Sequence, residues 1–501
     1  MSLDGEHTAP QLITYADRLG GSLSGVTELL RGPFAGAFGG VHLLPFFRPF
    51  DGADAGFDPE DHREVDTRLG TWQDVRELSG THGVMSDLIV NHVSAQSPQF
   101  RDVRRRGDAS PWRGMFLTMG SVFPDGATEM DLAAIFRPRP GLPFTAMDLG
   151  GRRHLVWTTF TSAQVDLDIR APQTWAYLIG IIDRLTDAGV SMLRLDAAGY
   201  VGKTAGTTCF LTDEALAFIR RLRSYASERG AATLIEVHAH HTQQVQLAEA
   251  VDWVYDFALP PLVLHALVAG DAAPLADWLE VRPANCVSVL DTHDGIGIVD
   301  VGRNPTLPGV PGLLSEPQID ALVEAIHRNT DGTSRLATGA AASNLDLYQV
   351  NSTFYDALGR DDLRYLLARL IQLFLPGIPQ VYYVGLLAGS NDVELLQRTG
   401  VGRDINRHHY GPEEIEAALL RPVVAAQLAA LRLRAAHPAF RGDFTYRVEG
   451  ARLELSWRHG SDCARLEIDV ADLSHQIYVT HKSGHLEFSD VLKLGTEPER
   501  S

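Results

Sequence analysis

VSMLRLD, residues Val190–Asp196, is an apolar run that closes on an arginine and an aspartate. Seven other short stretches repeat the design. They are residues 11–17 (QLITYAD), 40–47 (GVHLLPFF), 83–92 (GVMSDLIVNH), 232–238 (ATLIEVH), 251–257 (VDWVYDF), 286–294 (CVSVLDTHD) and 377–384 (GIPQVYYV). Stretches with helical character lie between most of them, including 175–188, 213–229 and 362–375. Strands written as apolar runs and alternating with helices indicate a parallel sheet covered on its outer face. Eight such units predict an α/β fold, a TIM (β/α)8 barrel.

Two gaps between these strands are too long for barrel loops. The first, about 93–169, is rich in Arg, Pro and Gly and includes RPRPGLPFT at 137–145; the second runs from about 296 to 359. Both are expected to be subdomains above the C-terminal face of the barrel. After about residue 440 the pattern changes, and 452–457, 464–470 and 476–479 read as antiparallel strands. The expected plan is barrel at 1–92, insert B at 93–169, barrel at 170–295, insert B′ at 296–359, barrel at 360–439 and a C-terminal β domain at 440–501.

The 501 residues are 45% hydrophobic, enough to bury a large core. The chain carries 44 basic and 63 acidic residues, a net charge of −19. So acidic a surface argues against nucleic acid or an anionic membrane as partner. An anionic substrate would need local positive charge built into its site. The three cysteines, Cys209, Cys286 and Cys463, are far apart and show no zinc spacing. So sparse and odd a set suits a reducing cytoplasm, where the protein is expected. Residues 1–10 are polar, without the apolar core of a secretory signal, and no run of about 18 apolar residues predicts a membrane span.

In a TIM barrel the polar residues at C-terminal strand ends are the first catalytic candidates. Here strand three closes on Asn91-His92, strand four on Arg194-Leu195-Asp196, strand five on Glu236-Val237-His238 and strand seven on His293-Asp294. Charges directly after apolar runs are rarely buried unless paired or used. An ion-pair network capping the barrel would also place acids there. The same pattern at four strand ends argues instead for a site. Asp196, Glu236 and Asp294 converging on one mouth fit glycoside chemistry. A retaining enzyme needs two carboxyl groups about 5–5.5 Å apart, one to attack the anomeric carbon and one to protonate the leaving oxygen. A third acid can hold sugar hydroxyls. Arg194 shares a strand face with Asp196 and can keep it ionised. His92 and His293 can donate to sugar hydroxyls. His238 and His240 alternate toward one face, but no acidic or Cys ligands accompany them, so no metal is expected. Gly295 and Gly297 begin a GxG, but Asp300 breaks the dinucleotide fingerprint. No cofactor is expected.

Four segments, DLIVNH (87–92), RLDAAGY (194–200), IEVH (235–238) and DTHD (291–294), resemble the four signature regions of the α-amylase family, glycoside hydrolase family 13. The resemblance implies Asp196 as nucleophile, Glu236 as acid/base and Asp294 as transition-state stabiliser, with Arg194, His92 and His293 beside them. Five further segments resemble the sucrose-phosphorolysing branch of that family: 11–20 (QLITYADRLG), 49–59 (PFDGADAGFDP), 137–145, 341–353 (AASNLDLYQVNST) and 402–410 (GRDINRHHY). This closer resemblance implies sucrose and phosphate as substrates and glucose 1-phosphate and fructose as products. It implies Asp54 and Arg403 on glucosyl hydroxyls, Phe57 and Phe160 as aromatic walls, and Asp346 and Gln349 on a moving loop facing the fructosyl side. It further implies Arg139, Tyr200, His238 and Tyr348 as phosphate contacts. Arginine suits that role because its planar fork binds phosphate bidentately. Many α-amylase relatives bind calcium near the first insert, but no ligand set is assignable here. Relatives are often dimers, which makes a homodimer a candidate assembly. Alternatives within the family are a different leaving group (fructose 6-phosphate, glycerate or glycerol), a sucrose hydrolase or transglucosylase, and a non-catalytic carbohydrate-binding homologue.

Overall fold

Eight parallel strands close into a barrel: β1 (Gln11–Thr14), β2 (Gly40–Leu43), β3 (Gly83–Ile89), β4 (Val190–Asp196), β5 (Ala232–Ile235), β6 (Trp253–Asp256), β7 (Cys286–Ser288) and β8 (Ile378–Tyr382). The computed structural model describes residues 9–52, 54–138, 141–304, 309–338, 349–481 and 484–494. Each strand pairs with its neighbours in sequence, and β8 returns to β1. All eight apolar runs therefore became barrel strands. They are buried on both faces, inside by one another and outside by helices such as Pro172–Asp187, Asp213–Glu228 and Asp362–Phe374. The register sets Arg194 of β4 beside Asp87 of β3, which becomes important at the barrel mouth.

Some strands are shorter than the sequence pattern suggested. β5 stops at Ile235, one residue before Glu236, and β7 stops at Ser288, well before Asp294. His92 lies on a separate short strand, His92–Ser94, paired antiparallel with Gln164–Asp166. Glu236, His238, His293 and Asp294 thus sit on connections just past the sheet, where the backbone is released from the ladder, while Arg194 and Asp196 close β4 itself.

The first insert contains the hairpin Phe144–Leu149/Arg152–Trp157 and its own small core of Leu117, Val122, Phe123, Ile135 and Trp157. The second holds the helices Glu316–Asn329 and Thr333–Ala337, and its strand Ile296–Gly297 pairs antiparallel with Gln349–Val350. At the C-terminal end five antiparallel strands follow in order: β9 (Asp443–Glu449), β10 (Arg452–His459), β11 (Asp462–Asp469), β12 (His475–His481) and β13 (Gly484–Phe488). Alternation decides their orientation. Leu453, Leu455 and Trp457 of β10 are buried toward the barrel, and Trp457 Nε1 donates to the Phe374 carbonyl at 2.6 Å. All three cysteines are free thiols. Among the described residues, no helix is long and apolar enough to cross a membrane.

Candidate active site

A chain of charge runs across three adjacent strands at the barrel mouth. His42 Nε2 of β2 lies 3.0 Å from Asp87 Oδ2 of β3. Arg194 Nη1 of β4 donates to Asp87 Oδ1 at 2.6 Å and to Asp196 Oδ1 at 2.8 Å. All four side chains are buried. Such charges are tolerated only because each is paired. Burial pushes the Asp87 carboxyl up, but His42 and Arg194 outweigh it and hold it down at about 2.

Past Asp196 the chain turns sharply. Ala197 takes a left-handed conformation, φ 54°, and its N–H donates to Glu236 Oε2 at 3.0 Å. A left-handed alanine is strained, and strain of this kind gathers where function fixes the geometry. The turn holds Glu236 against the residue that follows Asp196. Burial first, and then Glu236 and Asp87, push the Asp196 carboxyl up, while Arg194 opposes them. Glu236, half-buried, lines the same cleft as the buried Asp196. Arg194 donates to Asp196 at 2.8 Å but stands 3.9 Å from Glu236. Of the two carboxyl groups, Asp196 thus has the closer cationic partner.

Asp294 completes the acidic set. Its Oδ1 is 2.6 Å from Arg403 Nη1 and 3.9 Å from Arg407 Nη2. Burial raises its carboxyl, but Arg403 foremost, then His293 and Arg407, outweigh this and hold it far below the usual carboxylate range. His293 stacks on Phe57 with ring centroids 4.9 Å apart. Burial pushes His293 down to about 3, and it pushes His92 down as well. Both rings are thus neutral at physiological pH. His92 Nε2 meets the Phe57 carbonyl at 3.0 Å and Gln164 Nε2 at 3.1 Å.

One cleft is lined by Asp54, Phe57, His92, Phe160, Asp196, Tyr200, Glu236, His238, His293, Asp294, Gln349 and Arg403, with Pro138 at its rim. The fold therefore brings together the described residues expected at the site, and Arg194 lies directly beneath. Arg139, Asp346 and Tyr348 lie outside the described residues. His238 and His240 do not form a pair: His238 Nδ1 bonds Asp300 Oδ2 at 2.8 Å, while His240 Nε2 faces the Pro311 carbonyl. One ligand atom each from Glu236, His238 and Asp294 lie within 4.8 Å of one another. Asp300 raises His238, although burial opposes it. A ring that favours its proton is a poor metal ligand.

Several residues important to this geometry carried no role in the sequence reading. Asp87 lay inside a quoted motif, two residues from Ile89 on the strand, yet only the register shows that it faces Arg194. His42 sat inside an apolar run. Arg407 lies inside the quoted segment that carries Arg403, and its Nε donates to the His293 carbonyl at 2.9 Å. Lys203 is buried, with Nζ 2.9 Å from Asp166 Oδ2, 3.1 Å from Asn91 Oδ1, and hydrogen-bonded to the Tyr200 carbonyl. Its ammonium fills an oxygen-lined cage between the end of β3, the first insert and the turn after β4. Asp291, by contrast, belongs to a signature segment but points away, paired with Arg369 at 3.1 Å.

Residues 4–255 match the model of the alpha amylase catalytic domain. The chain is 54% identical over 461 residues to a sucrose phosphorylase of Bifidobacterium adolescentis, covering 92% of each. It is 55% identical over 464 residues to a sucrose phosphorylase of Agrobacterium vitis, covering 92% of this chain and 95% of that one. Among solved structures, sucrose 6F-phosphate phosphorylase from Thermoanaerobacter thermosaccharolyticum superposes with a TM-score of 0.89 at 34% identity, over 98% of both chains.

Proposed function

Because this chain belongs to the alpha-amylase family, we propose that it transfers a glucosyl unit from sucrose to phosphate with retention, giving α-D-glucose 1-phosphate and fructose. The observation that carries the reading is the distribution of charge around Asp196: Arg194 at 2.8 Å on one side, and Glu236 pinned by the Ala197 N–H on the other. A retaining displacement needs a nucleophile beside a proton donor, and in this reading Asp196, held by Arg194, takes the first role and Glu236 the second.

Sucrose binds with its glucose at the base of the cleft, between Phe57 and Phe160. Asp54, Arg403, His92 and His293 hold ring hydroxyls. Glu236 protonates the glycosidic oxygen as Asp196 attacks the anomeric carbon. Fructose leaves past Asp346 and Gln349, and a β-glucosyl ester remains on Asp196. Asp294, held ionised, stabilises the positive charge that builds on the ring during each displacement. Phosphate then enters the vacated space and meets Arg139, Tyr200, His238 and Tyr348. Glu236, now a base, takes its proton, and phosphate oxygen attacks the anomeric carbon. Two inversions give net retention. We place the protein in the cytoplasm, where phosphate and a reducing medium suit this chemistry and its free thiols.

The deciding experiment follows glucose 1-phosphate, fructose and free glucose together, with sucrose plus or minus phosphate. Phosphate-dependent fructose release with stoichiometric glucose 1-phosphate is expected. Fructose release that proceeds equally well without phosphate would sink the reading. Sucrose 6F-phosphate, glucosylglycerate and glucosylglycerol, run as competing donors, test the leaving group.

A further inference from the structure

One imidazole of the cleft, His238, is held from behind by a buried carboxylate. His238 stacks flat on Phe257, centroids 3.9 Å apart and planes 13° apart. Its Nδ1 edge meets Asp300 Oδ2 at 2.8 Å, and its Nε2 edge faces Gln349 at 3.4 Å in the cleft. Asp300 is itself fixed, because its Oδ1 accepts from Gln244 Nε2 at 2.9 Å and from the Ala239 N–H at 3.2 Å. Asp300 is fully buried. Gly297 makes the pairing sterically possible. A Cβ there would stand 2.2 Å from Asp300 Oδ2 and 3.1 Å from His238 Nδ1.

We propose that Asp300 is the positioning residue of the acceptor site, holding the His238 ring with Nε2 toward the cleft so that the protonated ring donates to phosphate. The inference rests on the reading of this cleft as a phosphate acceptor. A carboxylate at Nδ1 keeps the proton on that nitrogen and stabilises the imidazolium. A neutral ring so held offers only a lone pair at Nε2, which suits the Gln349 amide. The charged ring offers N–H, which suits phosphate. Water, the competing acceptor, gains little from a cation there. Asp300 thereby favours phosphate over water. Among the charged groups around the ring, Asp300, Glu236 after β5 and Asp294 after β7 raise it against the opposing effect of burial, while the cation Arg403 shares the cleft and is paired with Asp294 at 2.6 Å.

Asp300→Asn keeps the shape, but its amide would donate to Nδ1 and leave a neutral ring. The phosphate KM is expected to rise about tenfold, the difference between a charge-assisted and a neutral hydrogen bond. The ratio of glucose 1-phosphate to free glucose should fall. Glucosyl-enzyme formation, read as single-turnover fructose release, should fall far less. His238 is protonated below its titration midpoint, so losing the carboxylate should move the alkaline limb of the phosphate-dependent step to lower pH. Gly297→Ala, which wedges the pair apart, should act in the same direction. In the unaltered enzyme, 15N NMR of the His238 ring, assigned by its loss in His238→Gln, should give a midpoint above the ordinary histidine value of about 6.5. A midpoint at or below that value overturns the proposal even if neither variant folds. So does an Asp300→Asn enzyme whose phosphate KM and product ratio stay within about twofold of the parent. A parent enzyme that makes no glucose 1-phosphate would instead defeat the functional reading itself.

Discussion

At the scale of single residues, the site is a set of buried charges whose neighbours decide their protonation. Glu236→Gln should cripple turnover of sucrose by about 10²–10⁴-fold, the usual worth of a general acid. It should spare glucosyl-enzyme formation from donors whose leaving groups need no proton, such as α-glucosyl fluoride. Asp196→Ala should abolish both, since no covalent intermediate can form. Comparable losses on both donor types in Glu236→Gln would remove its acid role. Asp87 makes a separate prediction. Its folded value of about 2 lies below the ordinary 3.8, so its ionised form stabilises the fold at neutral pH. That contribution, about 2 kcal/mol, is complete above the unfolded value and is lost as pH falls through the folded one. Asp87→Asn should therefore melt lower than the parent at pH 7, and the gap should narrow below pH 4. A gap that is constant or widens toward acid pH would contradict the pairing with Arg194 and His42.

At the scale of elements, the packing behind β7 and β8 shows how little room the barrel leaves. A Cβ on Gly385 would stand 1.7 Å from Asp291 Oδ2. Asp291 is pinned there by Arg369, and Tyr365 donates to the Gly385 carbonyl at 2.5 Å. Gly385→Ala must displace a buried ion pair, and overpacking of this kind costs about 1–3 kcal/mol. A lower melting temperature is expected, together with weakened activity, because the helix Tyr383–Leu386 begins where Tyr383 anchors the His408 carbonyl near Arg403 and Arg407. An unchanged melt would show that the network yields freely. The elements also show what a sequence can announce. The eight barrel strands were legible because parallel strands, buried on both faces, are written as apolar runs. β9 was not singled out although Phe444, Tyr446 and Val448 alternate with polar residues; at the sheet edge most of DFTYRVE is exposed. The acids at strand ends were legible because a charge after an apolar run is improbable without a use. Asp300 and Lys203 were not, since each stands in an irregular connection where no period marks a face. Only the fold reveals that Asp300 reaches back to His238, and that Gly297 lacks a side chain for that reason.

At the scale of the whole molecule, the barrel, the first insert and the turn carrying Tyr200 meet at Lys203. Its ammonium satisfies Asp166, Asn91 and the Tyr200 carbonyl at once, and Asp166 also accepts from Thr159 through both its oxygens. Such an oxygen-lined cage could in principle hold a divalent cation, but a buried amine already fills it with positive charge on a tether. Two outcomes follow. Chelators should leave melting temperature and phosphorolysis unchanged, because the charge that closes the cage is covalently part of the chain. Lys203→Met should leave Asp166 buried without its cation, and breaking a buried pair in this way costs about 3–5 kcal/mol. The loss should extend to activity, since the insert that contributes Phe160 and Pro138 to the cleft would no longer be tied to the end of β3 and the turn after β4. The checks are thermal melts with and without EDTA, and the phosphate KM of any folded Lys203→Met enzyme. Destabilisation of the unaltered protein by EDTA would show that a metal shares the cage. A Lys203→Met enzyme as stable and active as its parent would show that the insert is held by its apolar contacts alone.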